Sequence, residues 1–202
     1  MKRLLTLVLF PLLAIALSPV LAQQLEPKLL DALQRGGYVL LIRHTSTDLI
    51  KEPSPMDLAN CADQNRLNDQ GRDEARALSA AFKTHKIPVG KILSSGYCRT
   101  METARLAFGR SLPSEILLHP VYKPVSGAPV PLPYTARIEM LKQLLVTAPD
   151  AGANTVLVTH GENIKDSTGV QVDKGETIIF RPDGRGGSNM AGRVLITGWA
   201  TK

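Results

Sequence analysis

The apolar residues of this chain fall into short runs and into stretches with helical spacing. Residues 38–42 and 155–158 are unbroken apolar runs, and 91–94 is a shorter candidate of the same kind. An apolar run without polar alternation predicts a strand that is buried on both faces, as in a parallel sheet. Weaker patterns predict a strand at 115–118 and a C-terminal hairpin, with strands at 176–180 and 193–197 around a turn at 182–184.

Helices are predicted between these strands. Their expected ranges are Pro27 to Leu33, about Asn68 to Phe82, Met101 to Phe108 and Ile138 to Leu145. A long polar loop is expected at 45–66, and loops of that length in compact domains are usually functional. Because strands and helices alternate, the sequence predicts an α/β fold, namely a three-layer α/β/α sandwich with a largely parallel sheet.

The first 22 residues have a different pattern. Lys2 and Arg3 precede an apolar stretch that ends at Val20-Leu21-Ala22, which is typical of a secretory signal peptide cleaved after Ala22. An uncleaved membrane anchor is the alternative, since the stretch approaches spanning length. We therefore expect a signal peptide at 1–22, a single domain at 23–202 and a secreted or periplasmic protein, with no stable membrane insertion after cleavage.

Net charge and aromatic content narrow the range of binding partners. Cleavage would remove two positive charges from a net +6 and leave +4, and aromatic residues make up only 4% of the chain. Such a composition does not favour nucleic-acid binding, but it leaves open both a solvated basic surface and a pocket for an anionic substrate.

In an oxidising compartment Cys61 and Cys98 could form one disulfide; two separate buried thiols are the alternative.

Basic side chains follow the strongest predicted strands. Arg43 and His44 come after strand 38–42, His160 follows strand 155–158, and Arg99 lies past strand 91–94. Ligands of open α/β sheets bind beyond the carboxyl ends of the strands, so these side chains are expected to meet there. Guanidinium groups bind phosphate in a bidentate manner, and a neutral imidazole is a suitable nucleophile for phosphorus. The sequence therefore predicts a phosphate-handling site.

These motifs resemble those of the histidine phosphatase superfamily, the phosphoglycerate mutase-like proteins. The similar segments are Arg43-His44-Thr45, with Thr in place of the family's Gly; Asn68-Asp69-Gln70-Gly71; Ser94 to Ala104; and Thr159-His160-Gly161. The resemblance implies a phosphoglycerate mutase-like fold and a phosphohistidine intermediate on His44. It also implies that Arg43, Thr47, Arg99, His160 and Gly161 bind a small phosphorylated substrate, and that no metal or cofactor is needed.

The resemblance does not identify the general acid. The mutase-like branch has a Glu after the intervening strand, where this chain reads Leu118-His119-Pro120, and the acid-phosphatase branch has an Asp at the position of Gly161. We take Glu162 as the first candidate and Glu176 as the second. Glu139 is interpreted as a solvated residue, and both His85 and His119 as structural residues.

Several functions remain open from the sequence. A phosphomonoester hydrolase is favoured, and the missing acid keeps a phosphoramidate or phosphohistidine hydrolase and a non-catalytic phosphate-binding protein as alternatives. A metal-dependent hydrolase with His44 and His160 as ligands would need a carboxylate cluster, which the strand ends do not supply. The sequence leaves open the physiological substrate and the oligomeric state.

Overall fold

A computed structural model describes residues 25–199 of the chain. The predicted signal peptide at 1–22, and with it the membrane-anchor alternative, lies outside the described residues. Within 25–199, none of the helices has the length and apolar character needed to cross a membrane.

The centre of the structure is a six-stranded mixed sheet. Its strands are β1 (Val39–Arg43), β2 (Val89–Ser94), β3 (Leu112–Pro113), β4 (Asn154–Thr159), β5 (Thr177–Pro182) and β6 (Ser188–Val194). They lie in the order β3-β2-β4-β1-β5-β6. Strands β1 to β4 run parallel, whereas β5 is antiparallel to β1 and forms a hairpin with β6.

Helices cover both faces of this sheet. They are α1 (Pro27–Gln34), α2 (Asp69–Thr84), α3 (Cys98–Phe108), α4 (Tyr134–Val146) and α5 (Gly161–Thr168). Along β1, Leu40 and Ile42 join the core under α1, α2 and α3, whereas Val39 and Leu41 join the core under α4 and α5. Because successive strand residues point to opposite faces, the unbroken apolar run is what this two-sided burial requires. The predicted three-layer sandwich is confirmed.

Helix α2 begins at a capped turn that also fixes the loop after β1. The side chain of Asn68 accepts a hydrogen bond from Gly71 N–H at 2.8 Å. A Cβ atom on Gly71 would lie 1.9 Å from the carbonyl oxygen of Ser46, so only glycine permits this approach. The turn therefore holds the residues that follow His44 against the start of α2.

Two predicted elements differ from the structure. Residues 115–118, predicted as a strand, contain a 3₁₀ turn at Glu115–Leu117, and the strand lies just before it at Leu112–Pro113. A short apolar run does not distinguish strand from helix, and here Leu117 is fully buried beneath the sheet instead of pairing at its edge. The second hairpin strand is Ser188–Val194, and Ile196–Trp199 forms a 3₁₀ turn that packs on α2.

Candidate active site

Three chain segments are joined at the carboxyl edge of the sheet. The backbone N–H of His44 donates to Thr159 at 3.0 Å, and Ser95 N–H donates to Val158 at 3.0 Å. On the other side of β1, Gly175 N–H donates to the carbonyl of His44 at 3.1 Å. These bonds bring the segments that carry His44, Arg99 and His160 to one edge, as the sequence predicted.

The environment of His44 sets its protonation state. Its ring is buried, and its Nδ1 lies 2.9 Å from the carbonyl oxygen of Thr45, which can only accept a hydrogen bond. Burial, and then the positive charge of Arg99, lower the pKa of His44 to about 3. The imidazole is therefore neutral, with its proton on Nδ1 and a lone pair on Nε2. Thr45 is itself held by α3, since its hydroxyl lies 3.1 Å from the hydroxyl of Thr103.

His160 lies beside His44, with ring centroids 5.6 Å apart. Its Nε2 lies 2.9 Å from the hydroxyl of Ser95, which also accepts the N–H of Tyr97 and is free to donate its hydrogen to the ring. This arrangement places the imidazole proton on Nδ1, a buried atom with no hydrogen-bond partner among residues 25–199. Burial and then Arg99 hold the pKa of His160 well below its usual range. The ring can thus offer a neutral N–H to an anion.

Arg43 presents a second unpaired donor. Its Nη1 donates to the carbonyl of Val172 at 2.8 Å, while its Nε is buried and has no partner in the described part of the chain. The guanidinium lies directly against Gly161, where a Cβ would come 3.2 Å from Arg43 Cζ. Gly161, predicted from the sequence as a substrate contact, therefore makes room for this guanidinium at the start of α5.

Arg99 is paired with a residue that the sequence did not single out. Its Nη1 donates to Glu52 Oε1 at 2.6 Å, and both side chains are largely buried. Its guanidinium carbon also lies 4.4 Å from the centre of the Tyr97 ring, which is a cation–π contact. Glu52 comes from the 45–66 loop. The negative charge of Glu52 therefore faces Arg99, the guanidinium that the sequence predicted to bind phosphate.

The 45–66 loop is fastened to the first turn of α3. Cys61 and Cys98 form a disulfide, as one of the two alternatives predicted. Gln64 accepts the backbone N–H of Cys98 at 2.9 Å. This backbone N–H at the start of α3 is therefore already hydrogen-bonded to the loop. The loop brings Glu52 to Arg99 because these ties fix its path.

Lys174 is another residue that the sequence reasoning missed. Its Nζ donates to the hydroxyl of Thr47 at 2.9 Å. Burial and then the charge of Arg43 lower the pKa of Lys174, and its charge in turn contributes to lowering that of His44. Because β5 is antiparallel to β1, the start of β5 lies at the carboxyl edge of β1. Thr47, a predicted substrate contact, thus lies beside a cation, and Lys174 adds a third positive charge to those of Arg43 and Arg99.

His119, interpreted from sequence as structural, lies at this site. Its ring centroid is 4.9 Å from that of His160, and its Nε2 is 3.4 Å from Glu162 Oε2. The hydrogen bond with His119 is the main reason that the pKa of Glu162 is lowered, to about 2. Glu162 is consequently an ionised carboxylate at neutral pH and is not a proton donor by itself. The signal for His119 was its place directly after the buried Leu117-Leu118 segment, at the same sheet edge.

The remaining candidates lie elsewhere. The carboxylate of Glu176 is buried, pairs with Arg193 at 2.7 Å and accepts the N–H of Asp173, so its role as second candidate acid is not supported by its contacts. Glu139 is exposed and pairs with Lys142, as expected for a solvated residue. His85 caps the far end of α2. In the described range, no group of three or more His, Cys, Asp or Glu side chains is arranged to hold a metal ion.

Comparisons with known proteins agree with this architecture. The model of the histidine phosphatase superfamily (branch 1) matches residues 39–119. The chain is similar to the putative phosphohistidine phosphatase SixA from Agrobacterium tumefaciens, with 16% identity, a TM-score of 0.51 and coverage of 79% of this chain and 97% of the other. A phosphoserine phosphatase from Entamoeba histolytica is 15% identical, with a TM-score of 0.55 and coverage of 81% of this chain and 99% of the other. The alpha-ribazole phosphatase from Shigella flexneri is 15% identical, with a TM-score of 0.55 and coverage of 80% of this chain and 96% of the other. A sequence search of curated proteins finds no match.

Proposed function

The chain belongs to the histidine phosphatase superfamily, and on that premise we propose that it is a metal-independent phosphomonoesterase whose nucleophile is His44. The observation that carries the proposal is the state of this imidazole. It is neutral, it holds its proton on Nδ1 against the Thr45 carbonyl, and its Nε2 lone pair lies in a strongly cationic site. This is the state in which imidazole attacks an electrophile.

The surrounding donors support transfer of a phosphoryl group. In the first step Nε2 of His44 bonds to phosphorus while the bond from phosphorus to the leaving oxygen breaks. In the second step water attacks phosphorus, the phosphorus–nitrogen bond breaks, and inorganic phosphate is released. Arg43 Nε and His160 Nδ1 are buried donors without partners among residues 25–199, and Arg99 adds a further guanidinium. Fixed donors of this kind stabilise the charge on a transferring phosphoryl group.

Hydrolysis of an aryl phosphate tests this proposal. The purified protein is expected to hydrolyse 4-nitrophenyl phosphate in the presence of EDTA, and His44→Ala is expected to abolish turnover. Rapid acid-free quenching with a radiolabelled phosphate ester should leave an acid-labile label on His44. His85→Ala is the matched control, since this imidazole lies at the far end of α2. Full activity of His44→Ala, or loss of activity in EDTA, would contradict the proposal.

We also propose that the protein is exported. The N-terminal pattern of residues 1–22 is typical of a signal peptide, and the Cys61–Cys98 disulfide supports folding in an oxidising compartment. Cell fractionation followed by N-terminal sequencing tests this. A mature chain that begins at Gln23 in the exported fraction is the expected result, and an intact Met1 in the cytosol would refute it.

A further inference from the structure

We propose that a groove along the exposed face of α3 binds a single-chain amphiphile with an anionic head group. This groove, called the α3 groove below, lies between the 45–66 loop, α3 and the edge strand β3. Its lining includes none of the groups assigned to phosphoryl transfer, so the inference goes beyond the function proposed above. The argument rests on the shape of the groove, on its cations and on its apolar end.

The floor of the α3 groove is one face of the helix. Four residues with the i, i+3, i+4 and i+7 spacing of a single helix face line a cavity of about 850 Å³, namely Cys98, Met101, Glu102 and Arg105. One wall of this cavity is the 45–66 loop, and the other is the segment that leads from Gly109 into β3. Because the Cys61–Cys98 disulfide fastens the loop to this helix face, the cavity is formed before any ligand arrives.

Two smaller cavities extend the groove in different directions. A second cavity of about 410 Å³ shares Arg105 and Arg110 with the first and continues to the carboxyl end of α2. A third cavity of about 260 Å³ shares Leu58 and Pro113 with the first and continues along residues 129–131. Neighbouring cavities with common walls can hold an elongated ligand that lies across them. The combined groove is therefore long enough for a head group and a tail.

Cations without acidic partners gather where the first two cavities meet. Five basic side chains that line these cavities form no ion pair with a carboxylate among residues 25–199, namely Arg66, Lys83, Lys86, Arg105 and Arg110. Glu102 also lines the first cavity, but its carboxylate already accepts from Arg72 Nε at 2.9 Å. Like charges held together in a concave surface attract an anion to it. This part of the groove therefore suits a negatively charged head group.

The third cavity is the apolar end of the groove. Leu118, Tyr122 and Val130 line it, and Val130 is 83% exposed. A hydrocarbon chain that lies here removes apolar surface of both partners from water, which a small anion cannot do. Nucleic acid is a poorer match, because none of the described residues that line the first cavity is aromatic and bases bind to such surfaces by stacking. An anion with an apolar tail satisfies both ends of the groove.

Binding of decanoate to the purified protein tests the inference. Decanoate has a carboxylate head and an apolar chain, and it is not a phosphate ester, so the proposed reaction cannot consume it. Isothermal titration at low salt, below the micelle concentration, should show saturable binding. Acetate supplies the anion without the chain, and decan-1-ol supplies the chain without the anion. We expect each of them to bind at least about 10-fold more weakly than decanoate.

Two variants test the two ends of the groove separately. Arg105→Gln/Arg110→Gln removes the cations common to the first two cavities and should weaken decanoate binding about 10-fold at low salt, with a smaller effect at high salt. Val130→Asp places a carboxylate at the exposed apolar end and should also weaken binding. The matched control is Arg181→Gln/Arg185→Gln, which removes the same charge at the β5–β6 hairpin, on the opposite edge of the sheet from β3. This control should bind decanoate as the wild type does, and thermal unfolding checks that every variant is folded.

Inorganic phosphate, at a concentration that saturates the catalytic site, should leave the decanoate affinity unchanged. Displacement of decanoate by phosphate would place the ligand at the catalytic site and overturn the inference. Equal affinities for decanoate and acetate, or wild-type affinity in Arg105→Gln/Arg110→Gln, would also overturn it. Binding to vesicles of anionic lipid or to a polyglutamate peptide, without binding of monomeric decanoate, would show a membrane or protein partner and refute the proposed ligand. None of these results depends on turnover, so failure of the proposed phosphatase function would be seen separately.

Discussion

Glu52→Gln tests whether the loop carboxylate competes with substrate for Arg99. In the structure, Oε1 of Glu52 lies 2.6 Å from Arg99 Nη1, and the two side chains are 20% and 5% exposed. A phosphate dianion that is to bind Arg99 must displace this carboxylate or share the guanidinium with it. Glutamine keeps the size of the side chain and one oxygen acceptor, but removes the negative charge.

The expected gain follows from the strengths of the two hydrogen bonds. A hydrogen bond to a charged group contributes about 1.5–3 kcal/mol, and a neutral one about 0.5–1.5 kcal/mol. The competing contact therefore weakens by about 1–2 kcal/mol in the variant. Since 1.4 kcal/mol corresponds to a tenfold change in affinity, inorganic phosphate should bind about 5–30 times more tightly. The free protein should at the same time become less stable, because a buried guanidinium loses its counter-charge.

Isothermal titration with inorganic phosphate measures the affinity, and thermal unfolding with and without phosphate measures the stability. Glu139→Gln is the matched control, since it removes the same charge from an exposed carboxylate whose ion-pair partner within residues 25–199 is Lys142. We expect this control to bind phosphate as the wild type does, because charges at an exposed site are screened by salt.

An unchanged or weaker phosphate affinity in Glu52→Gln would refute the reasoning. Such a result would mean that Glu52 orients Arg99 for the anion instead of competing with it. A gain that also appears in Glu139→Gln would refute it in another way, since the effect would then come from net charge alone.

Three further predictions concern stability and local geometry. The pKa of buried His44 is about 3, below the usual 6.5, so the unfolded state binds more protons than the folded state between these pH values. The free energy of unfolding should therefore fall as the pH drops through this window, by up to about 1.4 kcal/mol per pH unit. The urea midpoints of the wild type and of His44→Gln, compared across this pH range, measure the contribution of His44. Reduction of the Cys61–Cys98 bond, which spans 37 residues, should cost about 4 kcal/mol, and a Cys61→Ser/Cys98→Ser double variant that melts like the oxidised wild type would contradict this. Gly161→Ala should push the Arg43 guanidinium aside by a few tenths of an ångström and raise KM with less effect on the melting temperature; an unchanged KM would show that the guanidinium tolerates the methyl group.

Much of the fold was readable from local pattern. The apolar runs at 38–42 and 155–158 became β1 and β4, because strands buried on both faces need apolar side chains in both directions. The errors occurred where apolar runs were short. At 115–118 the local pattern suited both a strand and a buried turn, and only packing beneath the sheet decided between them.

The sequence by itself determined the part of the site that lies at strand ends. His44, Arg99 and His160 each follow a parallel strand, and parallel strands end at one edge, so their convergence is a consequence of chain direction and of strand type. The pairing of Cys61 with Cys98 was open from sequence and was settled by the path of the loop.

Only the tertiary structure decided which charges face those residues. Glu52 is 47 residues from Arg99, and Lys174 is 127 residues from Thr47. Lys174 reaches the site because β5 runs antiparallel to β1, a direction that no local pattern specifies. His119 and Glu162 meet because a buried turn and the start of α5 end beside each other. Contacts of this kind depend on how loops return across the sheet, and periodicity within one segment does not encode that path.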